Sequence, residues 1–197
     1  NPDMHQAHNG LGLSLHLLGK NQEALEEFRK ALELKEDYSE VRNNIARVYI
    51  SQGRYREAIP ELKKALEDVF LRERYLAESN LGWSLFQIGK EGMQRVMNAL
   101  AQNEGYCVAY EYLGLMYKKQ KRYDEALHEF SQLMERCPDH PPGHLEKGKL
   151  HLMLGQVTQG CGHLRTCRDM GRMAPVGRQC ERLLRTACPR APAEQNQ

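Results

Sequence analysis

Six cysteines, all in the second half of the chain, are the side chains best suited to do chemistry: Cys107, Cys137, Cys161, Cys167, Cys180 and Cys188. No two of them form a C-x-x-C pair, so a zinc ribbon or a thioredoxin-like redox centre is not expected. Cys161, His163 and Cys167 are ligand types at close spacing. No fourth ligand accompanies them at helical spacing, and the chain is expected to hold no metal and no cofactor. Disulfide formation is the chemistry that remains. Cys107 opens one helix and Cys137 ends the next, and antiparallel helices set those two ends side by side. A fold-back near Met173 brings Cys167 towards Cys180 and Cys161 towards Cys188, although the spacings of six and eight residues do not put each pair neatly on one face. An even count at complementary positions leans towards an oxidising compartment, with plain buried thiols as the alternative. Catalysis finds no comparable foothold. The eight histidines are scattered, and no spacing gathers a nucleophile, a base and an orienting group, so the chain is expected not to be an enzyme.

The elements that must position these residues are written as a repeat. HNGLGLSLHLLGKNQEALEEFRKAL, RNNIARVYISQGRYREAIPELKKAL, ESNLGWSLFQIGKEGMQRVMNAL and YEYLGLMYKKQKRYDEALHEFSQLM share one pattern. A small residue follows an apolar one at Gly12, Ala46, Gly82, Gly114 and Gly148, at spacings of 34, 36, 32 and 34. Within each unit apolar positions recur every three or four residues, break, and resume, as Val41, Ile45 and Val48 do before Ala58, Leu62 and Ala65; the pattern is helix, turn, helix. Small residues mark where helices must approach closely, and large ones fill the remaining space. Pro60 is expected near the start of its helix, just after a first turn formed by Arg54 to Ala58, which it would distort slightly. Gly92 stands where alanine is expected and predicts a weak point in the third unit. With 197 residues and 41% hydrophobic content, the chain supports a continuous but thin core.

No apolar stretch approaches the roughly 18 residues needed to span a bilayer, and no basic-then-apolar leader precedes the first unit. A formal charge of +2 gives no case for nucleic acid. The charge is lopsided only near the end, where Arg165, Arg168, Arg172, Arg178, Arg182, Arg185 and Arg190 face only Asp169 and Glu181. An acidic partner, anionic lipid headgroups or a solvated helical face each fit that pattern.

A 34-residue helix-turn-helix period with these small, aromatic and leucine positions resembles the tetratricopeptide repeat. The resemblance implies an all-α, right-handed α-solenoid of about five repeats, at about 5–38, 39–74, 75–106, 107–140 and 141–172. A capping helix at about 175–187 would complete a single domain over 1–190, with 191–197 as a frayed tail. It further implies that the first helix of each repeat lines a concave groove. Carried over position by position, the groove takes Asn9, Leu13 and His16 from repeat 1 and Asn43, Asn44, Arg47 and Ile50 from repeat 2. Repeat 3 adds Asn80, Trp83 and Phe86, and repeat 4 adds Glu111, Leu115 and Lys118. Amides such as Asn44 and Asn80 would grip a peptide backbone, or alternatively link neighbouring helices. Trp83 and Phe86 would anchor apolar side chains, or Trp83 would be buried against repeat 4. Asn9 and Leu13, and Leu76 and Asn80, stand where a carboxylate clamp for chaperone tails needs cations, so that ligand class is disfavoured.

Residues 42–83 carry a narrower likeness. Arg42-Asn43-Asn44, the Gly53 to Ala58 turn, Ala65 to Asp68, the insertion at Phe70 to Arg74 and Asn80-Leu81-Gly82 are similar to the bacterial type IV pilus biogenesis lipoproteins of the PilF/PilW and Tgl type, the secretin pilotins. That resemblance implies a periplasmic protein associated with the outer membrane, binding a secretin or another pilus-assembly subunit in its groove. The membrane attachment it implies is an N-terminal lipid on a precursor cysteine that this chain does not contain. The cysteines and arginines near the end are not part of that pattern. The alternative is a tetratricopeptide adaptor for a peptide of another complex, which could be cytoplasmic.

Overall fold

The computed structural model describes residues 4–188, and among these eleven α-helices and no strands are found. The expected tail at 191–197 lies outside the described residues. Five helix hairpins follow one another: α1 (Met4–Leu17) with α2 (Asn21–Leu34), α3 (Ser39–Ser51) with α4 (Tyr55–Glu67), α5 (Arg74–Gln87) with α6 (Met93–Gln102), α7 (Cys107–Lys119) with α8 (Tyr123–Arg136), and α9 (Pro141–Met153) with α10 (Val157–Met170). A last helix, α11 (Pro175–Ala187), packs on α9 and α10. The chain forms two compact units, residues 1–104 with α1 to α6 and residues 105–197 with α7 to α11.

Each hairpin turns in the same way. The first helix ends on a residue in the left-handed region: Gly19, Gly53, Gly89 and Gly155 have φ between 71° and 78°, and Lys121 takes φ 62° in the fourth hairpin. At the first turn the Gly19 amide donates to the His16 carbonyl and the Lys20 amide to the Leu15 carbonyl, both at 2.9 Å, and the other turns repeat this pair of bonds. The motif satisfies the last carbonyls of the first helix, and glycine enters the left-handed region without a Cβ penalty.

Packing within a hairpin depends on the landmark residues. A Cβ on Gly12 would lie 2.6 Å from the Phe28 ring, and one on Gly114 would lie 2.7 Å from the Phe130 ring, and both rings are fully buried. In the first unit, Ala24, Leu25, Phe28 and Ala31 of α2 meet Val41, Ile45 and Val48 of α3, and Ala58 and Leu62 of α4 meet Ala77 and Leu81 of α5. In the second unit, Leu145, Leu164, Cys167 and Cys180 form the centre of the last three helices.

Pro60 lies at the sixth residue of α4, just past its first turn, and the helix runs through it. The residue is exposed, so the carbonyl left without a partner four residues earlier faces solvent. Gly92 is not an alanine position of a helix interior. It caps α6, and its backbone abuts that of Gly82 on α5, so the glycine is required by contact.

All six cysteines are paired, as Cys107–Cys137, Cys161–Cys188 and Cys167–Cys180. The Cα separations are 6.2, 5.8 and 6.1 Å, the ordinary range for a bridge. The first joins the ends of the α7–α8 hairpin, and the other two tie α11 to α10.

Candidate functional site

In the first unit the three first helices, α1, α3 and α5, converge on a cleft of about 250 Å³. Helix α1 contributes Leu13; α3 contributes Glu40, Asn43, Asn44 and Arg47; and the segment entering α5 contributes Leu71, Glu73, Leu76 and Ala77. The α4–α5 insertion builds one wall. Asp68 organises it by accepting hydrogen bonds from the Phe70 amide at 2.8 Å and from Ser39 Oγ at 2.9 Å, while its own carbonyl takes one from Arg74 Nη1 at 3.2 Å. This arrangement turns Leu71 inward to 8% exposure and leaves Val69 and Phe70 outside at 79% and 87%.

The asparagines of the inner face form two polar links between neighbouring repeats. Asn44 Nδ2 donates to Asn9 Oδ1 at 2.9 Å, and Asn80 Nδ2 donates to Asn43 Oδ1 at 3.0 Å. Asn80 is buried with these bonds, at 3% exposure, so its amide serves helix packing. Asn43 Nδ2 makes no hydrogen bond among the described residues and is a donor on the cleft wall. Arg47 is exposed, with Nη1 3.4 Å from Asn44 Oδ1. The cleft therefore offers apolar surface from Leu13, Leu71 and Leu76, amide groups, one guanidinium and the carboxylates of Glu40 and Glu73.

The remaining first-unit residues singled out by sequence lie elsewhere. His16 Nδ1 is 2.8 Å from Asn21 Oδ1, across its own hairpin turn. Ile50 packs half-buried against the second core cluster. Trp83 and Phe86 are half-buried and stack on one another, with ring centroids 6.4 Å apart and planes 21° apart. Sequence reasoning missed Glu40, Leu71, Glu73 and Ala77, and named Leu76 only as a groove position lacking a cation. The insertion was visible as a 36-residue spacing, but its inward leucine was not.

The second unit gathers Glu111, Leu115 and Lys118 on α7 into a different environment. Lys118 Nζ donates to Glu146 Oε2 at 2.8 Å, and Lys149 Nζ to Glu146 Oε1 at 2.6 Å, which holds the Glu146 carboxyl below its ordinary range against the opposing effect of burial. Leu115 is half-buried beside them. Glu111 has no such cation. Burial, and then the nearby Glu146 charge, push its carboxyl up to about 7, with His140 Nε2 3.6 Å away. Burial also holds the imidazoles of His140 and His144 below their usual range. His163 falls to about 4, again mainly through burial. Although His144 and His163 lie 3.2 Å apart at their Nδ1 atoms, no group of three ligand side chains among the described residues has the arrangement to hold a metal ion.

The Glu111 shift gives a pH dependence with a defined sign. A carboxyl raised from 4.5 to about 7 on folding keeps a proton that the unfolded chain has lost, so its contribution is complete below pH 4.5 and disappears as pH rises through 7. Glu111→Gln is expected to match the parent protein at pH 4 and to be more stable by about 3 kcal/mol at pH 8. Urea unfolding at the two pH values, or hydrogen exchange of α7 and α9, measures the difference. The depressed histidines act in the opposite direction as pH falls, and comparing the two proteins at each pH removes the contributions of His144 and His163, which do not touch Glu111.

Hairpins repeated at this period, with a cleft on the face of their first helices, define a helical-repeat scaffold for protein interaction. The tetratricopeptide repeat profile matches residues 3–69 and again residues 107–140. The chain belongs to the tetratricopeptide-repeat family. No curated protein matches it in sequence. Among solved structures it is similar to TTC0263, a thermophilic tetratricopeptide protein of Thermus thermophilus, with TM-score 0.80, 18% identity and coverage of 91% of this chain and 98% of that one. It is also similar to PilW, a widely conserved type IV pilus biogenesis factor, with TM-score 0.73, 20% identity and coverage of 91% and 83%. PilF of Pseudomonas aeruginosa gives TM-score 0.67, 22% identity and coverage of 93% and 91%. At these identities the likeness is one of fold.

Proposed function

We propose that this chain is a non-enzymatic scaffold that holds an extended or helical segment of a partner protein in the cleft of its first unit, and that the partner is a secretin or another subunit of type IV pilus assembly. The observation that carries the reading is the cleft itself: leucine surface beside an unpaired amide donor and an exposed arginine is the mixture that peptide recognition uses. The pilus assignment draws on the motif likeness over residues 42–83 and on the fold shared with PilW and PilF. Three cysteine pairs support an oxidising compartment, hence the periplasm beside the outer membrane over the cytoplasm. Attachment to that membrane would come from a lipid on a precursor, since no helix among the described residues is long and apolar enough to cross one.

The test uses side chains that line the cleft without holding helices together. Leu76→Glu with Arg47→Glu is expected to weaken capture of the secretin at least tenfold, about 1.4 kcal/mol or more, while the circular dichroism spectrum stays that of the parent. Asn80 is unsuitable for this purpose because its amide is buried in the helix interface. Undiminished capture by the double variant would remove the cleft from the proposal.

A further inference from the structure

The arginines near the end of the chain form a second recessed surface, away from any role in the cleft just described. Helices α10 and α11 and the turn between them frame an open recess of about 470 Å³ lined by Arg168 from α10, by Arg172 from the turn, and by Arg178, Arg182 and Arg185 from α11. Gly177 and Glu181 complete the lining. Five guanidinium groups thus face Glu181 within the cavity and Asp169 beside it. Those two carboxylates are already engaged: Asp169 lies 2.9 Å from Arg168 and 3.7 Å from Arg172, and Glu181 lies 2.9 Å from Arg185 and 3.7 Å from Arg168. The guanidinium groups of Arg178 and Arg182 have no ion-pair or hydrogen-bond partner among the described residues, and both residues are exposed.

The helix that carries them is fixed. On α11, Cys180 is fully buried and bridged to Cys167, and the helix ends at Cys188, bridged to Cys161. Val176, Leu183 and Leu184 pack against the core formed by Leu145 and Leu164. With that side pinned at two points, Arg178, Arg182 and Arg185 are held on the other side at spacings of four and three residues, one helical turn apart. A preorganised row of forked donors loses less conformational freedom on binding than free surface arginines do, and its geometry matches carboxylates bidentately.

We propose that this arginine cavity is an interaction site for an acidic peptide segment of a partner protein, two of whose carboxylates pair with Arg178 and Arg182. A recess between two helices admits a chain with projecting Asp or Glu side chains, and its volume exceeds that of a single small anion. A flat anionic bilayer would meet the rim first. The site does not depend on the pilus reading, because it rests on different residues in the other unit.

The experiment titrates the full chain, oxidised, with a fluorescein-labelled twelve-residue peptide rich in Glu and Asp, with the same peptide carrying Gln and Asn, and with vesicles containing phosphatidylglycerol. The acidic peptide is expected to bind, to weaken steeply with added salt, and to lose at least tenfold in affinity with Arg178→Glu and Arg182→Glu together. Arg29→Glu with Arg56→Glu changes the net charge equally at exposed positions of the first unit and is expected to leave binding within twofold. Equal loss in both double variants would overturn the site as a mere effect of overall charge. Binding of the amide peptide as tight as the acidic one would overturn it as well. So would sedimentation with vesicles that depends on Arg178 and Arg182 while the acidic peptide does not bind, which would assign the arginines to a lipid surface.

Discussion

Gly92→Ala will destabilise the first unit by about 4 kcal/mol or more, although alanine is the commoner residue at that point of the repeat. A Cβ there would sit 1.9 Å from the Gly82 carbonyl oxygen, 2.8 Å from its carbonyl carbon and 3.1 Å from the Phe86 amide nitrogen. All three are backbone atoms in the middle of α5, so no side chain can turn away to make room. The reverse contact is as tight, since a Cβ on Gly82 would meet the Gly92 carbonyl oxygen at 2.5 Å. Relief requires α5 and α6 to part, which exposes Val96 and Ala99, both fully buried. Overpacking against rigid backbone is among the short list of mechanisms that give effects of this size. Gly10→Ala is the internal control. It lies on an exposed face of α1 with nothing within 4 Å of the new Cβ, and it is expected to stabilise by about 0.5–1 kcal/mol through helix propensity. Thermal denaturation of the two variants should move in opposite directions. Faster hydrogen exchange confined to α5 and α6 would locate the damage, and unaltered exchange there in Gly92→Ala would contradict the contact.

Reduction of the disulfides will release α11 from the second unit. The helix contributes only Gly177 and Cys180 to the fully buried set, with Val176, Leu183 and Leu184 partly covered, and its outer side is arginine. Apolar burial of that extent gives little to offset the ordering of 13 residues, so the bridges carry a large share of its attachment. Cys167–Cys180 closes a separation of 13 and Cys161–Cys188 one of 27. Chain entropy assigns about 3 kcal/mol to each, less than additive because the loops are nested. The α11 amides are expected to exchange within seconds after treatment with reductant, while α7 and α8 retain most of their protection through the buried Phe130 and Leu133. Replacing Cys161, Cys167, Cys180 and Cys188 by serine should reproduce the reduced pattern. Slow exchange in α11 after complete reduction would show that packing alone holds it.

Much of the fold was legible because its signals are local. A residue sees its own helix at three and four positions away, so the apolar spacing of Val41, Ile45 and Val48, or of Ala58, Leu62 and Ala65, reports a buried face directly. Turn glycines report a left-handed φ, which few other residues accept, and they fell at Gly19, Gly53, Gly89 and Gly155. The fourth hairpin uses Lys121 there, a substitution that the flanking hydrogen bonds tolerate and that local preference would not have chosen. Hairpin geometry made the observed cysteine partners plausible but left buried thiols as an alternative, because spacings of six and eight residues do not set both pairs on one face.

The sites were less legible, and the asparagines show why. Asn44 and Asn80 occupy equivalent positions, yet one lines the cleft while bonded to Asn9 and the other is buried beneath Asn43. Their separation from these partners is 35 and 37 residues, so the choice between groove and interface depends on how adjacent hairpins settle together. Lys118 likewise carries a charge suited to a ligand and meets Glu146, 28 residues on. For Glu111 the nearest cation goes to another carboxylate, and burial then raises its proton affinity, an outcome no spacing expresses.

The chain's own order of residues determined the hairpins, their period and their turns, since each of these is settled by contacts within one hairpin, while the pairing of its sulfurs was only made plausible by it. Only the tertiary structure decided that Gly92 must lack a side chain, through the close approach of α6 to α5, that the insertion would turn Leu71 into a cleft, and that five arginines would share one recess beside α10 and α11. Those outcomes depend on how closely neighbouring helices approach, where a few tenths of an ångström decide what is covered and what stays open.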